Sequence, residues 1–295
     1  MGRKRFVLLA LAGLAFLVVL RLRGRVRRTV DAAWPVNLAH RGASGLAPEN
    51  TMEAFRLGTE AGAGGLELDV HLTSDGHVVV IHDPTVDRTT EGTGAVARMA
   101  LGELRSLDAG HNFGPDGENT RPYRGRGLQV PTLMEVLREF PDAAVNIDMK
   151  ANVPGIEAAV LGALREAGAE GRTLVVSSRY RSVRRFRKIS GGRVATGASR
   201  GETGVFYLFS RLRLEQLLLP DYDALQVPPR HRGIPLVTRR FVEAAHARGV
   251  RVDAWTINTA DEMRRLLDLG VNVIMTDLPE TLAHVLGEHQ DPTRL

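Results

Sequence analysis

The feature that most constrains the fold is an alternation. From Val36 onward, short runs rich in Val and Ile alternate with stretches that place apolar residues three and four apart. The strand candidates are Asn37–His40, 65–70, 78–82, Ala144–Met149, 173–177, 193–197, Ala224–Val227, 250–256 and 271–276. Helical patterns fall at 50–61, 131–140, 156–167, 179–189, 238–248 and 260–269. Thr238 and Thr259 fit N-caps, and Gly249 and Gly270 fit the residue just past a helix. Such alternation predicts a parallel sheet with right-handed crossovers. The run at 78–82 follows Asp75-Gly76 too closely for a crossover, so it is expected as an extension or hairpin partner. Setting it aside leaves eight strands, the number an α/β fold of the (β/α)8 TIM-barrel kind requires. A doubly wound open sheet is the rival. It usually carries a Gly-rich loop after its first strand, and none is evident here. The barrel is expected over 36–289, with a short tail at 290–295; 111–130, rich in Gly, Pro, Asn and Arg, reads as a surface loop or lid.

The segment before the barrel has a different character. Residues 1–30 hold eight Lys or Arg and no acid. The whole chain has 39 basic and 34 acidic residues, so removing those eight leaves 31 against 34, a body of net charge −3. The basic pI therefore belongs to the N-terminus, and a nucleic-acid-binding role is disfavoured. Residues 6–20, FVLLALAGLAFLVVL, form an unbroken apolar run flanked by bases. Fifteen residues at about 1.5 Å each fall short of a hydrocarbon core of about 30 Å, a gap that snorkelling arginines can close. No A-x-A-like cleavage site follows, so a single-pass membrane anchor is expected rather than a cleaved signal peptide. The excess of Arg at 21–28 over residues 1–5 favours a cytoplasmic body by a small margin. The chain has no Cys, which excludes disulfides and thiolate metal ligands.

In a barrel, catalytic groups project from the C-terminal ends of the strands. His40 and Arg41 end the first strand candidate, and His82-Asp83 ends the extension. Glu67 and Asp69 lie two apart and share a face, while Leu66, Leu68 and Val70 point the other way, to the helices. Asp148 and Lys150 repeat that spacing, and Trp255 lies near the end of the seventh strand, placed to wall a pocket. The plain alternative is a set of buried salt bridges. However, Glu67, Asp69 and Asp148 outnumber Arg41 and Lys150, and one divalent cation balances the charge better. All-oxygen donors favour Mg²⁺ or Ca²⁺ over zinc. His40 and His82 then suit an acid/base pair, and Arg41 and Lys150 a phosphate clamp. This kit fits phosphoryl transfer better than acyl transfer, for which no G-x-S-x-G motif is present. His71 is expected at the surface or behind the catalytic groups. Arg179, Arg181, Arg184, Arg185, Arg187 and Lys188 are expected as a solvated helix face, with anionic lipid headgroups as the alternative partner.

The blocks AHRGASGLAPENTMEAF, GLELDVHLTSDGHVVVIHDPTVDRTTEGTG, VPTLMEVL, NIDMK, AWTIN and GVNVIMTDLPE resemble, in that order, the glycerophosphodiester phosphodiesterase family. The resemblance covers residues 36–287. It implies a TIM barrel that uses Mg²⁺ or Ca²⁺ to hydrolyse glycerophosphodiesters to an alcohol and sn-glycerol 3-phosphate. It further implies that His40 and His82 are the acid/base pair, Glu67 and Asp69 are metal ligands, and Glu49 adds to the metal shell. Arg41 and Lys150 fall on the family's basic positions. One departure stands out. The family's E-x-K is Asp148-Met149-Lys150 here, one methylene shorter, as in the comparable ligand of the related spider-toxin phospholipases D. That change leaves metal preference and substrate range open. Rival readings are a lysophospholipase D acting on lysophospholipids at a membrane, and an inactive membrane-tethered barrel; no protein partner is implied.

Overall fold

The computed structural model describes residues 34–114 and 120–289. The expected anchor at 1–30 and tail at 290–295 lie outside them, as does part of the 111–130 loop. No helix among the described residues is long and apolar enough to cross a membrane.

The expected barrel is present. Its strands are β1 (Asn37–His40), β2 (Gly65–Leu72), β4 (Ala144–Met149), β5 (Thr173–Val176), β6 (Ala195–Thr196), β7 (Ala224–Val227), β10 (Arg251–Ala254) and β11 (Val273–Thr276). They run parallel in the order β6-β5-β4-β2-β1-β11-β10-β7. The ring closes between β6 and β7 through a parallel bridge, Gly197 to Ala224. Flanking it, Ala198 N–H donates to the Ala224 carbonyl (2.8 Å) and Asp223 N–H to that of Thr196 (2.7 Å). The 78–82 run supplies β3 (Val78–Val80), an antiparallel partner of β2 and so a hairpin rather than a barrel strand. A second small hairpin joins β8 (Arg230–His231) and β9 (Ile234–Pro235).

The helices are α1 (Met52–Glu60), α2 (Leu101–Arg105), α3 (Leu133–Glu139), α4 (Ile156–Glu166), α5 (Tyr180–Ser190), α6 (Arg200–Arg211), α7 (Arg239–Ala247), α8 (Ala260–Asp268) and α9 (Pro279–His289). Thr51, Thr132, Ser199 and Thr238 cap their helices with side-chain oxygens, each satisfying an otherwise unpaired N–H. The short α2, together with α6 and α9, was not expected from the pattern. For α6 the reason is that 205–209 read VFYLF, apolar on every side, so no inward spacing stands out; the fold buries Phe206 and Ser210 and leaves Val205 and Leu208 exposed. Arg187 also departs from expectation. It lies buried under α5 against Glu202 (2.7 Å) and Asp221 (2.9 Å) rather than on a solvated face.

Leu66, Leu68 and Val70 face outward into a core with Phe55, Leu133 and Val160, as the two-residue strand period requires. The barrel interior is polar at its lower end. Gln226 bridges Asn146 (2.8 Å) and Asp253 (3.1 Å), and Arg251 pairs with the fully buried Asp253. Trp34 closes that end, its ring 4.1 Å from the Arg251 guanidinium. The open mouth is therefore at the C-terminal ends of the strands. Register delivers the charged residues there in pairs: His40 lies beside Glu67, and Asp69 beside Asp148.

Candidate active site

The turn after β1 shapes the first half of the site. Arg41 adopts a left-handed φ of 55°, and Gly42 follows at 82°. A Cβ on Gly42 would lie 2.5 Å from the Ala54 backbone, so the turn requires Gly. The turn lets Arg41 donate its backbone N–H to Glu67 (3.1 Å) and aim its guanidinium at Asp69 (3.2 Å) and Glu49 (3.0 Å). Asn50, also left-handed, donates its amide to Asp69 (3.0 Å) and accepts the Asp69 N–H (3.3 Å).

Each candidate catalytic His is held by a carboxylate. His40 Nδ1 lies 2.7 Å from Asp277 Oδ1, which also accepts the Ser44 hydroxyl (2.7 Å). Asn258 donates to the other Asp277 oxygen (2.6 Å). Burial alone would raise the Asp277 pKa, but these three hydrogen bonds outweigh it and hold the carboxyl at about 2. An ionised carboxylate only accepts, so His40 carries its proton on Nδ1 and presents Nε2 to the mouth. Burial works to lower the His40 pKa; the Asp277 bond and the nearby Glu67 charge overcome it and raise it. His82 Nδ1 is likewise 2.6 Å from Asp83 Oδ1. Arg88 donates from Nε to Asp83 (2.6 Å), and its bond is the largest reason the Asp83 pKa falls to about 2. The far end of Arg88 grips both oxygens of Glu49 (2.8 and 2.7 Å). His71 is buried behind this pair, donating from Nε2 to the His82 carbonyl (3.0 Å).

Between the two His lies the acidic group. Lys150 Nζ reaches Asp69 (3.1 Å) and Asp148 (2.6 Å). Burial pushes Glu67 up to about 7, reinforced by the Asp69 charge, and burial also raises Asp148. Asp69 stays low because Lys150 and Arg41 offset its burial. One oxygen of Asp148 is buried with no hydrogen-bond partner among the described residues. Two buried carboxylates and a half-buried one, with one oxygen unpartnered and one carboxyl resisting ionisation, supply the all-oxygen donor types that suit a hard divalent cation. Lys150 and Arg41 reach in among them, and among the described residues no three acidic or His side chains are gathered closely enough to hold an ion. Glu49 lies at the edge of this group, sharing Arg41 with Asp69 and also gripped by Arg88; its bonds to Arg88 and the Arg41 charge lower its pKa against the effect of burial. Trp255 follows the end of β10 and is 41% exposed.

Sequence reasoning placed His40, Arg41, Glu67, Asp69, His82, Asp148 and Lys150 together, and the fold brings them together. It assigned no role to Asp277, Asp83, Arg88, Asn50, Ser44 or Asn258. The signal for Asp277 was its place in the last strand's TD end, which neighbours β1 in the ring.

Parallel strands closed into a ring, with two carboxylate-held His and an acidic cluster gathered at one mouth, define a (β/α)8 barrel with a polar site of the kind hydrolases carry. The chain belongs to the glycerophosphoryl diester phosphodiesterase family, whose model matches residues 40–281, and it is a phosphoric diester hydrolase. It is 37% identical over 254 residues to a glycerophosphodiester phosphodiesterase of Caldanaerobacter subterraneus subsp. tengcongensis, covering 84% of this chain and 96% of that one. Among solved structures it resembles a phosphodiesterase of Oleispira antarctica in complex with the product sn-glycerol-3-phosphate. That match has 27% identity and a TM-score of 0.68, and covers 85% of this chain and 96% of that one. A glycerophosphoryl diester phosphodiesterase domain from Mycobacterium tuberculosis shares the fold, with a TM-score of 0.75 at 24% identity over 87% of this chain and 100% of that one.

Proposed function

We propose that the enzyme hydrolyses glycerophosphodiesters to sn-glycerol 3-phosphate and an alcohol, within phospholipid-derived metabolism, by His40/His82 acid–base catalysis. The observation that carries this reading is the pair of His–carboxylate couples, His40–Asp277 and His82–Asp83, on either side of the acidic group. Each fixes Nδ1–H and frees Nε2 for proton transfer. The product named in the Oleispira antarctica complex supports the substrate class.

His40 Nε2 removes the proton of the glycerol 2-hydroxyl, and that oxygen attacks phosphorus. The bond from phosphorus to the alcohol breaks as His82, protonated at the outset, gives its Nε2 proton to the leaving oxygen. A cyclic glycerol phosphate and the free alcohol result. Water then gives a proton to His82 and attacks phosphorus. The bond to the 2-oxygen breaks, and His40 returns the proton to it. Arg41 and Lys150 hold the phosphate oxygens, and Trp255 walls the alcohol side. Mg²⁺ or Ca²⁺ held by Glu67, Asp69 and Asp148 would polarise the phosphate and the attacking hydroxyl. Glu49, at the edge of that group, keeps Arg41 and Arg88 in place.

The test is product release from glycerophosphocholine, glycerophosphoethanolamine and lysophosphatidylcholine, with Mg²⁺, Ca²⁺ or EDTA. The reading expects sn-glycerol 3-phosphate and choline from the first, lost with the chelator. Lysophosphatidylcholine as the only substrate would favour the lysophospholipase D reading, and activity after thorough cation removal would overturn the metal assignment.

A further inference from the structure

A second surface, away from the mouth, has a composition that the catalytic role does not use. Val205 and Leu208 on α6 and Leu212, the residue that caps its C-terminal end, lie three and four residues apart, so they share one face, and that face is turned outward at 49%, 54% and 58% exposure. The loop that follows continues it with Leu217 and Leu219, 60% and 44% exposed. A soluble helix of a barrel puts this stripe inward; here it is in water. Large contiguous apolar surface on a monomer marks an interaction site.

The neighbouring helix α5 contains no acidic residue and exposes Arg181, Arg184 and Lys188, which make no ion pair among the described residues. The acids near the apolar stripe are already engaged: Glu202 and Asp221 by Arg187, and Glu215 by Arg240. A body of net negative charge thus carries one flank that is basic on one helix and apolar on the next.

We propose that the α5–α6 flank docks on an anionic lipid bilayer. The leucines of α6 and its following loop enter the headgroup boundary, and Arg181, Arg184 and Lys188 meet lipid phosphates. A bilayer suits the surface better than a second copy of the chain, because pairing two such flanks would bring their unpaired bases together. Docking in this way leaves His40 and His82 facing water, as a substrate already stripped of acyl chains requires.

The chain has no Cys, so a single one can be introduced and labelled with an environment-sensitive dye. Leu208→Cys and Leu212→Cys report on the flank. Glu60→Cys on α1, which follows β1 four strands round the ring from β6, is the control. Full-length protein with unimpaired hydrolysis of a soluble diester is mixed with phosphatidylcholine vesicles, with and without phosphatidylglycerol. The flank dyes should shift to the blue and be quenched by lipid-borne quenchers only with phosphatidylglycerol, and the α1 dye should not. Adding Arg181→Gln, Arg184→Gln and Lys188→Gln should weaken insertion of the flank by roughly a hundredfold while leaving turnover unchanged. An unchanged Leu208 dye, an equal shift at Glu60, or a flank dye already blue-shifted before vesicles are added, covered by another copy or by the N-terminal run, would each overturn the proposal.

Discussion

His40 and Asp277 are 237 residues apart in sequence and 2.7 Å apart in the fold. They meet because β11 pairs with β1, so the last barrel strand delivers its carboxylate to the end of the first. Asp277 is not a bystander: it fixes which nitrogen of His40 holds the proton, and its own charge is secured by Ser44 and Asn258.

Asp277→Asn should therefore damage catalysis without disturbing the fold. The amide keeps the volume but removes the charge that raises the His40 pKa, and it turns into a donor one of the two oxygens that accept from His40, Ser44 and Asn258, so the His40 tautomer is no longer fixed. We expect kcat to fall roughly 10²- to 10⁴-fold. With His40 as the proposed base, acting when neutral, its pKa sets the acidic limb of the pH–rate profile; with the supporting charge gone, that limb should move to lower pH. Rates measured across the acid range check both.

Arg88 joins Asp83 to Glu49 and so ties the support of His82 to that of Arg41. It is a positioning residue. Because it is partly exposed, its replacement should be milder than that of Asp277, about tenfold in kcat/KM for Arg88→Gln. Arg88→Lys should not restore the rate, since one ammonium cannot reproduce the fork that holds both carboxylates. Steady-state kinetics of the two variants make the comparison.

In metal-free protein, Glu67→Gln should stabilise. The Glu67 carboxyl titrates at about 7 when folded, against an ordinary value of 4.5. The folded state holds that proton more tightly, so stability falls as pH rises through the interval between those values. Removing the group should flatten that slope and, at neutral pH, add roughly 1–3 kcal/mol. The same substitution should weaken cation binding. Urea melts in EDTA at several pH values, and calorimetric titration with Mg²⁺ and Ca²⁺, separate the two effects.

Arg187 is a structural counterpart. It is buried and bonds to Glu202, Asp221, Thr196 and the Gly197 carbonyl. Arg187→Ala leaves partly buried acid without its partner and should cost about 3–5 kcal/mol in a urea melt.

Much of this was legible in the sequence, for identifiable reasons. Two-residue spacing put Glu67 with Asp69 and Asp148 with Lys150, and parallel register brought the pairs side by side. The helix–Gly–strand grammar gave the barrel, and Gly249 and Gly270 do follow α7 and α8 with left-handed φ of 67° and 84°. What escaped depends on ring closure or on burial. Asp277 reaches His40 only because the sheet is circular. Arg187 looked like its basic neighbours on α5 but points to the barrel side. The α6 helix was hidden because Val205 to Phe209 are consecutive apolar residues that mark no single face, and only the fold separates the buried Phe206 from the exposed Val205 and Leu208.

The most direct test of the account compares two substrates in two variants. Glycerophosphocholine needs its leaving alcohol protonated; a glycerol phosphodiester of p-nitrophenol does not. In single-turnover release of the alcohol, the step before water enters, His82→Ala should lose roughly 10²- to 10⁴-fold on the first and little on the second, while His40→Ala should lose heavily on both. Equal losses for His82→Ala on the two substrates, or near-normal turnover of glycerophosphocholine by either variant, would contradict the assignment of His40 as base and His82 as acid.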